Sequence, residues 1–380
     1  MVEAMEIQKG FKKTDAGTIP GAWQVPKLIE IADFENGKAH EQFIDDKGEY
    51  IVVNSKFIST EGNVRKFSNK NLSPLKKGSI AIVMSDIPNG RALAKCYLVE
   101  KDNRYTLNQR IGCIKPNEDI DYRYLFYKLN RNIYFLSFDS GSGQTNLRRN
   151  EILDCPVAIP PTKVEQTAIA EALNDADALI AELEKLIAKK KAIKQGAMQE
   201  LLKPKEGWEV RLLGDFLDYE QPTKYLVADT EYNDHNQTPV LTAGKTFILG
   251  YTNEEFGVFN NHPVIIFDDF TTATKYIDFP FKVKSSAMKI LKPKKDVNLR
   301  FVFELMQTIK FDSTDHKRYW ISEYRNIEVK VPRPDEQDHI SKILSDMDAE
   351  IEVLEKKLDK YKMLKQGLMQ NLLTGKIRLI

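Results

Sequence analysis

EQTAIAEALNDADALIAELEKLIAKKKAIKQGAMQELL, residues 165–202, returns in the same chain as EQDHISKILSDMDAEIEVLEKKLDKYKMLKQGLMQNLL, residues 336–373. The two align without a gap at an offset of 171, with 20 identities in 38 positions, so the chain carries an internal duplication. Apolar residues fall at Ile169, Leu173, Ala176, Ile180, Leu183 and Ile187 in the first copy, and at Ile340, Leu344, Met347, Ile351, Leu354, Leu358 and Tyr361 in the second. Alternating steps of four and three make the seam of a coiled coil. Neither copy holds a proline, and each has one glycine, close to its end (Gly196, Gly367). Each is therefore predicted to run as one helix of roughly 55 Å, at 1.5 Å per residue.

Charge sets how the helices pair. Residues 165–184 hold six acids and no base, whereas residues 185–203 hold six lysines against Glu200 alone. The second copy repeats the pattern, with seven acids and one lysine through Glu355, then five lysines and one aspartate. Each half complements its own helix dipole. Only an antiparallel arrangement lays the acidic half of one helix beside the basic half of the other.

The duplication extends beyond the helices. Trp23-Gln-Val-Pro-Lys-Leu28 is echoed by Trp208-Glu-Val-Arg-Leu-Leu213, so each repeat is a tryptophan-led opening, a globular body and a long helix. Residues 1–160 form the first body with a polar lead-in, 161–203 the first helix, 204–331 the second body, and 332–380 the second helix and tail. In the first body, 50–53, 78–84, 92–99 and 152–159 read as strands and 121–133 as a helix with Leu125, Phe126, Leu129 and Ile133 on one face. In the second, 240–241, 264–267, 287–291 and 327–331 read as strands and 299–309 as a helix. The expected fold is α+β: two pseudo-repeated globular domains, each followed by a long helix, with the helices paired as an antiparallel coiled coil. The middles of the bodies share little sequence while their frames match, which suits divergent ligand choice on a constant frame.

The 380 residues, 42% of them hydrophobic, suffice for two or three cored domains. The apolar runs are strand-sized, so no membrane span is expected. Cys96, Cys113 and Cys155 lack metal or redox spacing, which fits core thiols in a reduced cytoplasmic protein. A net charge of +1 requires any nucleic-acid field to come from local clusters or from partners.

Motifs for catalysis fail on inspection. Gly244-Lys245-Thr246 lacks the glycine five residues earlier, where Pro239 stands. Gly141-Ser-Gly143 lacks a third glycine at Asn146 and reads as a surface loop. Ile159-Pro160-Pro161 lacks the flanking residues of an amino-methyltransferase motif and reads as a strand terminator. Glu328-Val-Lys330 with Asp315 lacks the second acid of a nuclease. Asp268-Asp269 reads as a strand-end turn in preference to a cation site. His40, His235, His262, His316 and His339 have no metal-ligand spacing.

Other clusters suit DNA. Gln144, Thr145 and Asn146, followed by Arg148 and Arg149, combine amides that pair with adenine and guanidiniums that suit guanine or phosphate. Lys317, Arg318 and Tyr319 take the equivalent place in the second body. Lys66, Asn69 and Lys70 in the first body, and Thr271, Thr272 and Lys275 in the second, complete the candidate set.

These features together resemble the specificity subunit of type I DNA restriction-modification systems. The markers are Gly17-Thr-Ile-Pro20-Gly-Ala-Trp23, Pro160-Pro161-Thr-Lys-Val-Glu165-Gln166, the Lys-Gln-Gly near each helix end (residues 194–196 and 365–367) and Leu372-Leu373-Thr-Gly375-Lys376. The second copy departs from the pattern, with Val331-Pro332-Arg-Pro334 in place of the doubled proline. The resemblance covers nearly the whole chain. It implies two target-recognition domains, each reading half of a bipartite site in double-stranded DNA, with the helices as spacer. It also implies no catalysis and no cofactor in this chain, two methyltransferase (modification) subunits that bind S-adenosylmethionine, and restriction subunits that use ATP and Mg. Two rival readings are a duplicated coiled-coil protein scaffold without DNA specificity, and a self-contained methyltransferase or nuclease.

Overall fold

The structure, a computed structural model, describes residues 9–87, 90–139, 141–242, 246–311 and 318–379. The chain divides into two compact units, Met1–Glu182 with Leu358–Ile380, and Leu183–Lys357. The division falls inside both long helices, Lys163–Leu201 and Pro334–Leu372, each 39 residues. Every seam residue named above is buried or half-buried, and none is exposed. Antiparallel pairing is visible in each unit separately. In the first unit Asp177 binds Lys365 of the second helix and Glu165 binds Arg378 of the tail after it, so numbering rises along the first helix as it falls along the second helix with its tail. In the second, Lys205 meets Glu336 at 2.8 Å, Lys194 meets Asp348 at 2.6 Å and Lys190 meets Glu350 at 2.6 Å. Acidic halves thus face basic halves.

The first unit is built on a four-stranded antiparallel sheet in the order Ala32–Asn36, Ile111–Pro116, Ile80–Val83, Cys96–Leu98. Its strand Ile80–Val83 is buried throughout because both faces are covered. Ile80 and Ile82 enter the core shared with the long helices, while Ala81 and Val83 enter a second core. That second core lies under a three-stranded sheet, where Tyr50–Val53 runs antiparallel to Phe67–Ser68 and parallel to Tyr105–Leu107.

The second unit has the same topology. Its four-stranded order is Leu217–Glu220, Met288–Pro293, Val264–Asp268, Thr274–Ile277, and in its three-stranded sheet Thr238–Leu241 runs antiparallel to Ile248–Thr252 and parallel to Lys282–Val283. Ile265 and Phe267 again face one core while Val264 and Ile266 face the other. The likeness persists through the middles, where sequence identity is lost. Register makes residues equivalent: Pro116 pairs with Ala32 as Pro293 pairs with Leu217, and Ile111 with Val83 as Met288 with Asp268. On this register Glu35–Lys115 (2.6 Å) and Glu220–Lys292 (2.9 Å) are the same ion pair. The tryptophan-led openings also correspond. Gln24 bridges Ile159, and Glu209 pairs with Val331.

A short helix docks each body onto the long helices. Tyr122–Leu129 is capped by Asp121, whose carboxylate accepts from Arg123 N, Tyr124 N and Thr167 Oγ1. Leu299–Met306 is capped by Asn298, whose amide also donates to Asp338 Oδ1 at 2.6 Å. The glutamine of each Glu-Gln pair donates to the carbonyl of the strand-ending proline, Gln166 to Pro160 at 3.5 Å and Gln337 to Pro332 at 2.9 Å.

Several local expectations need correction. The helix expected over 121–133 stops at Leu129, since Arg131 takes φ 56° and its N–H turns to Ala94 O. Ile133 instead opens a new helix, Ile133–Leu136, and is 83% exposed. The strand expected over 152–159 begins inside a helix, Arg149–Leu153, where Glu151 accepts from Arg148 N. The described part of the lead-in is a hairpin, Phe11–Thr14 with Gly17–Pro20, and Ile19 in it is buried. The three cysteines are free and buried. Burial raises each thiol, Cys113 to about 11 and Cys155 to about 12. No helix among the described residues is long and apolar enough to cross a membrane.

Candidate nucleic-acid interface

In the first unit the candidate residues gather where the central strand Ile80–Val83 ends. Leu147 N–H donates to Met84 O at 2.7 Å, and Thr145–Asn146 pairs antiparallel with Ser85–Asp86. Gln144 and Asn146 stay exposed, and the Gln144 amide donates to Ser85 Oγ at 2.5 Å. Thr145 is buried, with its hydroxyl on Asp139 Oδ1 at 3.0 Å. Asp86 ties the loop down by accepting from Ile87 N, Ala92 N and Leu93 N. Arg148 and Arg149 are exposed, and the Arg149 guanidinium lies 5.3 Å from the Phe34 ring centroid.

In the second unit the same strand end collects a different set. Asp268, the last residue of the strand, accepts from Phe270 N at 2.9 Å and Thr271 Oγ1 at 2.6 Å, and its carbonyl accepts from Thr272 N. This is the strand-end turn expected of Asp268-Asp269, with Thr272 at φ 58°. Tyr319 N–H donates to Asp269 O at 3.1 Å, in the place of the bond from Leu147 to Met84. Trp320 N–H donates to Asp269 Oδ1 at 2.9 Å. Two adjacent aspartates therefore hold the Thr271–Thr272 turn and the backbone just after Arg318 at one strand end, and Arg318 is the backbone equivalent of Asn146. Arg318 and Lys275 are exposed. Tyr319 is buried, its ring 5.1 Å from that of Phe311, so its side chain belongs to the core. Lys317, like His316, Asp315, Gly244 and Lys245, lies outside the described residues.

Lys66, Asn69 and Lys70 are exposed but belong to the three-stranded sheet. Lys66 O accepts from Val52 N, Asn69 N donates to Phe43 O, and the Lys70 ammonium sits 4.5 Å from the Phe43 ring centroid. Sequence reasoning missed Ser85, Asp86 and the exposed apolar side chains Ile87 (69%) and Phe270 (39%) beside the strand ends. The only signal for them was their position after an apolar run. Exposed amides, guanidiniums and apolar groups on one strand end can read base edges and thymine methyls, while lysines meet phosphates. Among the described residues no three His, Cys, Asp or Glu side chains are grouped to hold a metal ion.

A family model, the type I restriction modification DNA specificity domain, matches residues 20–195 and again 205–362. The type I restriction enzyme EcoR124I/EcoR124II specificity subunit of Escherichia coli is 48% identical over 158 residues, 40% of this chain and 39% of that protein. The type I restriction enzyme MjaVIII specificity subunit of Methanocaldococcus jannaschii is 23% identical over 435 residues, 100% of this chain and 99% of that protein. The crystal structure of a type I restriction-modification system S subunit from M. genitalium shares the fold, with a TM-score of 0.68 at 17% identity over 92% of this chain and 96% of that one.

Proposed function

Because the chain belongs to the family of type I restriction-modification DNA specificity proteins, we propose that each of its units reads one half of a bipartite site in double-stranded DNA. The long helices set the number of unread base pairs and dock two methyltransferase subunits, and restriction subunits join that assembly. The chain performs no chemistry. S-adenosylmethionine, ATP and Mg are bound by the partners alone. What supports this reading is one sheet topology present twice, with Gln144 and Asn146 at one strand end and Thr271, Thr272 and Arg318 at the other. A constant scaffold with unlike exposed groups suits two different half-sites.

Sequencing methylated adenines in a host that carries the chain and its partners tests the proposal. The expected motif has two specified blocks around a fixed unspecified gap; one contiguous block, or none, contradicts it. The purified chain alone should transfer no radiolabelled methyl group to DNA, and transfer that rises with its concentration overturns the assignment of chemistry to partners. Inserting four residues after Lys189 adds about 6 Å of helix, against about 3.4 Å per base pair. Both blocks should persist with the gap longer by one or two base pairs. An unchanged gap in an assembled complex removes the helices from that role.

A further inference from the structure

Beneath the strand end the two units differ at three positions that touch one another. In the first unit they are Phe34, Met84 and Gly112. A Cβ on Gly112 would fall 2.5 Å from the Phe34 ring and 3.1 Å from Met84 Sδ, so glycine leaves room for two apolar side chains. By register the equivalents in the second unit are Tyr219, Asp269 and Lys289. Asp269 and Lys289 are each 1% exposed, Lys289 Nζ lies 3.1 Å from Asp269 Oδ2, and the same ammonium is 5.7 Å from the Tyr219 ring centroid. An apolar trio has been exchanged as a set for a buried ion pair and a tyrosine.

A buried ion pair is a poor source of stability, because desolvation offsets its attraction, and apolar replacements often do as well. The first unit is itself an example of the apolar solution on the same sheet. The exchange has a visible consequence in the recognition segment. In the first unit the N–H of Arg148 is accepted by Glu151 of its own short helix at 2.7 Å. In the second the equivalent N–H, of Trp320, is accepted by Asp269 Oδ1 from the sheet. With Tyr319 N–H on the carbonyl of the same residue, Asp269 holds two consecutive amides just after Arg318.

We propose that Asp269, with Lys289 as its countercharge, is a positioning residue that fixes the backbone carrying Arg318 at the strand end from which the Thr271–Thr272 turn leaves, and so sets the bases read by the second unit. The inference rests on the function proposed above. It assigns specificity to residues that never touch DNA, and it makes the first unit independent of any such pair.

The test compares two neutral variants with the same number of side-chain heavy atoms in the full complex with the methyltransferase partners. D269N/K289M keeps an acceptor for Trp320 N–H; D269L/K289M removes it. Expected is an unchanged methylated motif for the first variant. For the second, at least one position of one half-site relaxes, the other half-site is intact, and affinity for a duplex carrying the wild-type motif weakens about tenfold. Identical motifs and affinities within twofold for the two variants overturn the proposal. If D269L/K289M does not assemble, D269M/K289G/Y219F, which carries the three residues of the first unit, is judged by the same criteria. A wild-type complex with no bipartite motif would instead refute the underlying function.

Discussion

The docking helices Tyr122–Leu129 and Leu299–Met306 meet the long helices at equivalent places with different chemistry. In the first unit Tyr127 Oη donates to Asp177 at 2.8 Å, and Lys365 closes the pair. In the second the tyrosine is replaced by Glu304, fully buried, with Arg300 at 2.7 Å and Lys194 at 3.5 Å, and both cations also bind Asp348. Asp177 and Asp348, like Lys194 and Lys365, are related by the repeat offset of 171. The caps differ in the same way. Asp121 accepts from Thr167, whereas Asn298 donates to Asp338, so donor and acceptor have changed sides and the bond remains. Contacts to the helices are therefore preserved as pairs, while the strand ends vary freely, as expected if the helices hold and the strand ends choose.

The largest expected difference between the units lies in removing a helix lysine. Lys194→Ala leaves Glu304 and Asp348 to Arg300 alone and should destabilise the second unit by about 3 kcal/mol. Lys365→Ala leaves a partly exposed aspartate hydrogen-bonded to a tyrosine and should cost about 1 kcal/mol. Hydrogen exchange of the amides in Leu299–Met306 and Tyr122–Leu129 measures both, and equal losses would erase the distinction.

Next in size are the equivalent strand-end residues. Asn146→Ala and Arg318→Ala should each weaken binding to the cognate duplex by about 2 kcal/mol and relax one motif position, in different half-sites, if the side chain meets a base. A uniform loss with a shallower salt dependence would mark a phosphate contact instead.

Crossing the caps is subtler. Asn298→Asp sets a carboxylate against Asp338 and should cost about 1 kcal/mol, which Asp338→Thr restores by reproducing the first unit's pair. A double-mutant cycle in urea unfolding without coupling would show that the reversal is incidental.

Acid should also separate the units. Burial alone would raise the Asp121 carboxyl, but the Tyr124 amide, the Thr167 hydroxyl and Arg123 outweigh it and hold it below the usual carboxylate range. Its stabilisation is thus present at neutral pH and lost as pH falls below the ordinary aspartate value, about 3.9. Burial raises the Glu304 carboxyl, and Lys194 and Arg300 offset this only in part. The folded state then binds that proton more tightly than the unfolded state, so stability rises as pH falls toward the ordinary glutamate value of about 4.3. Protection factors, which remove the intrinsic pH dependence of amide exchange, should rise in Leu299–Met306 on mild acidification and stay level in Tyr122–Leu129 until lower pH.

The smallest effect uses the cysteines, all of which belong to the first unit. Native thiol labelling should be unaffected by Lys194→Ala and modestly faster in Lys365→Ala.

The long helices were legible because a 38-residue repeat with a three-four seam and opposed charge halves allows little else. Short strands were not. Ala32–Asn36 and Tyr105–Leu107 are too brief for a period of two to stand out, and residues 152–159 mix a helix turn with paired backbone under one apolar pattern. The candidate loops were found by composition, but exposure was not readable. Thr145 lies inward with its hydroxyl on Asp139, and Tyr319 with its ring against Phe311, contacts that composition does not show. The tryptophan-led match at an offset of 185 already sets Phe34 against Tyr219 and Met84 against Asp269, but pairing Gly112 with Lys289, at an offset of 177, needs the sheet register.

Exchange of residues 24–158 for the corresponding body of a relative with a different motif, followed by sequencing of the methylated adenines, tests most directly whether the two units read independently. One block of the motif should change to that of the donor while the other block and the gap stay as they were; a change in both blocks would contradict independent reading.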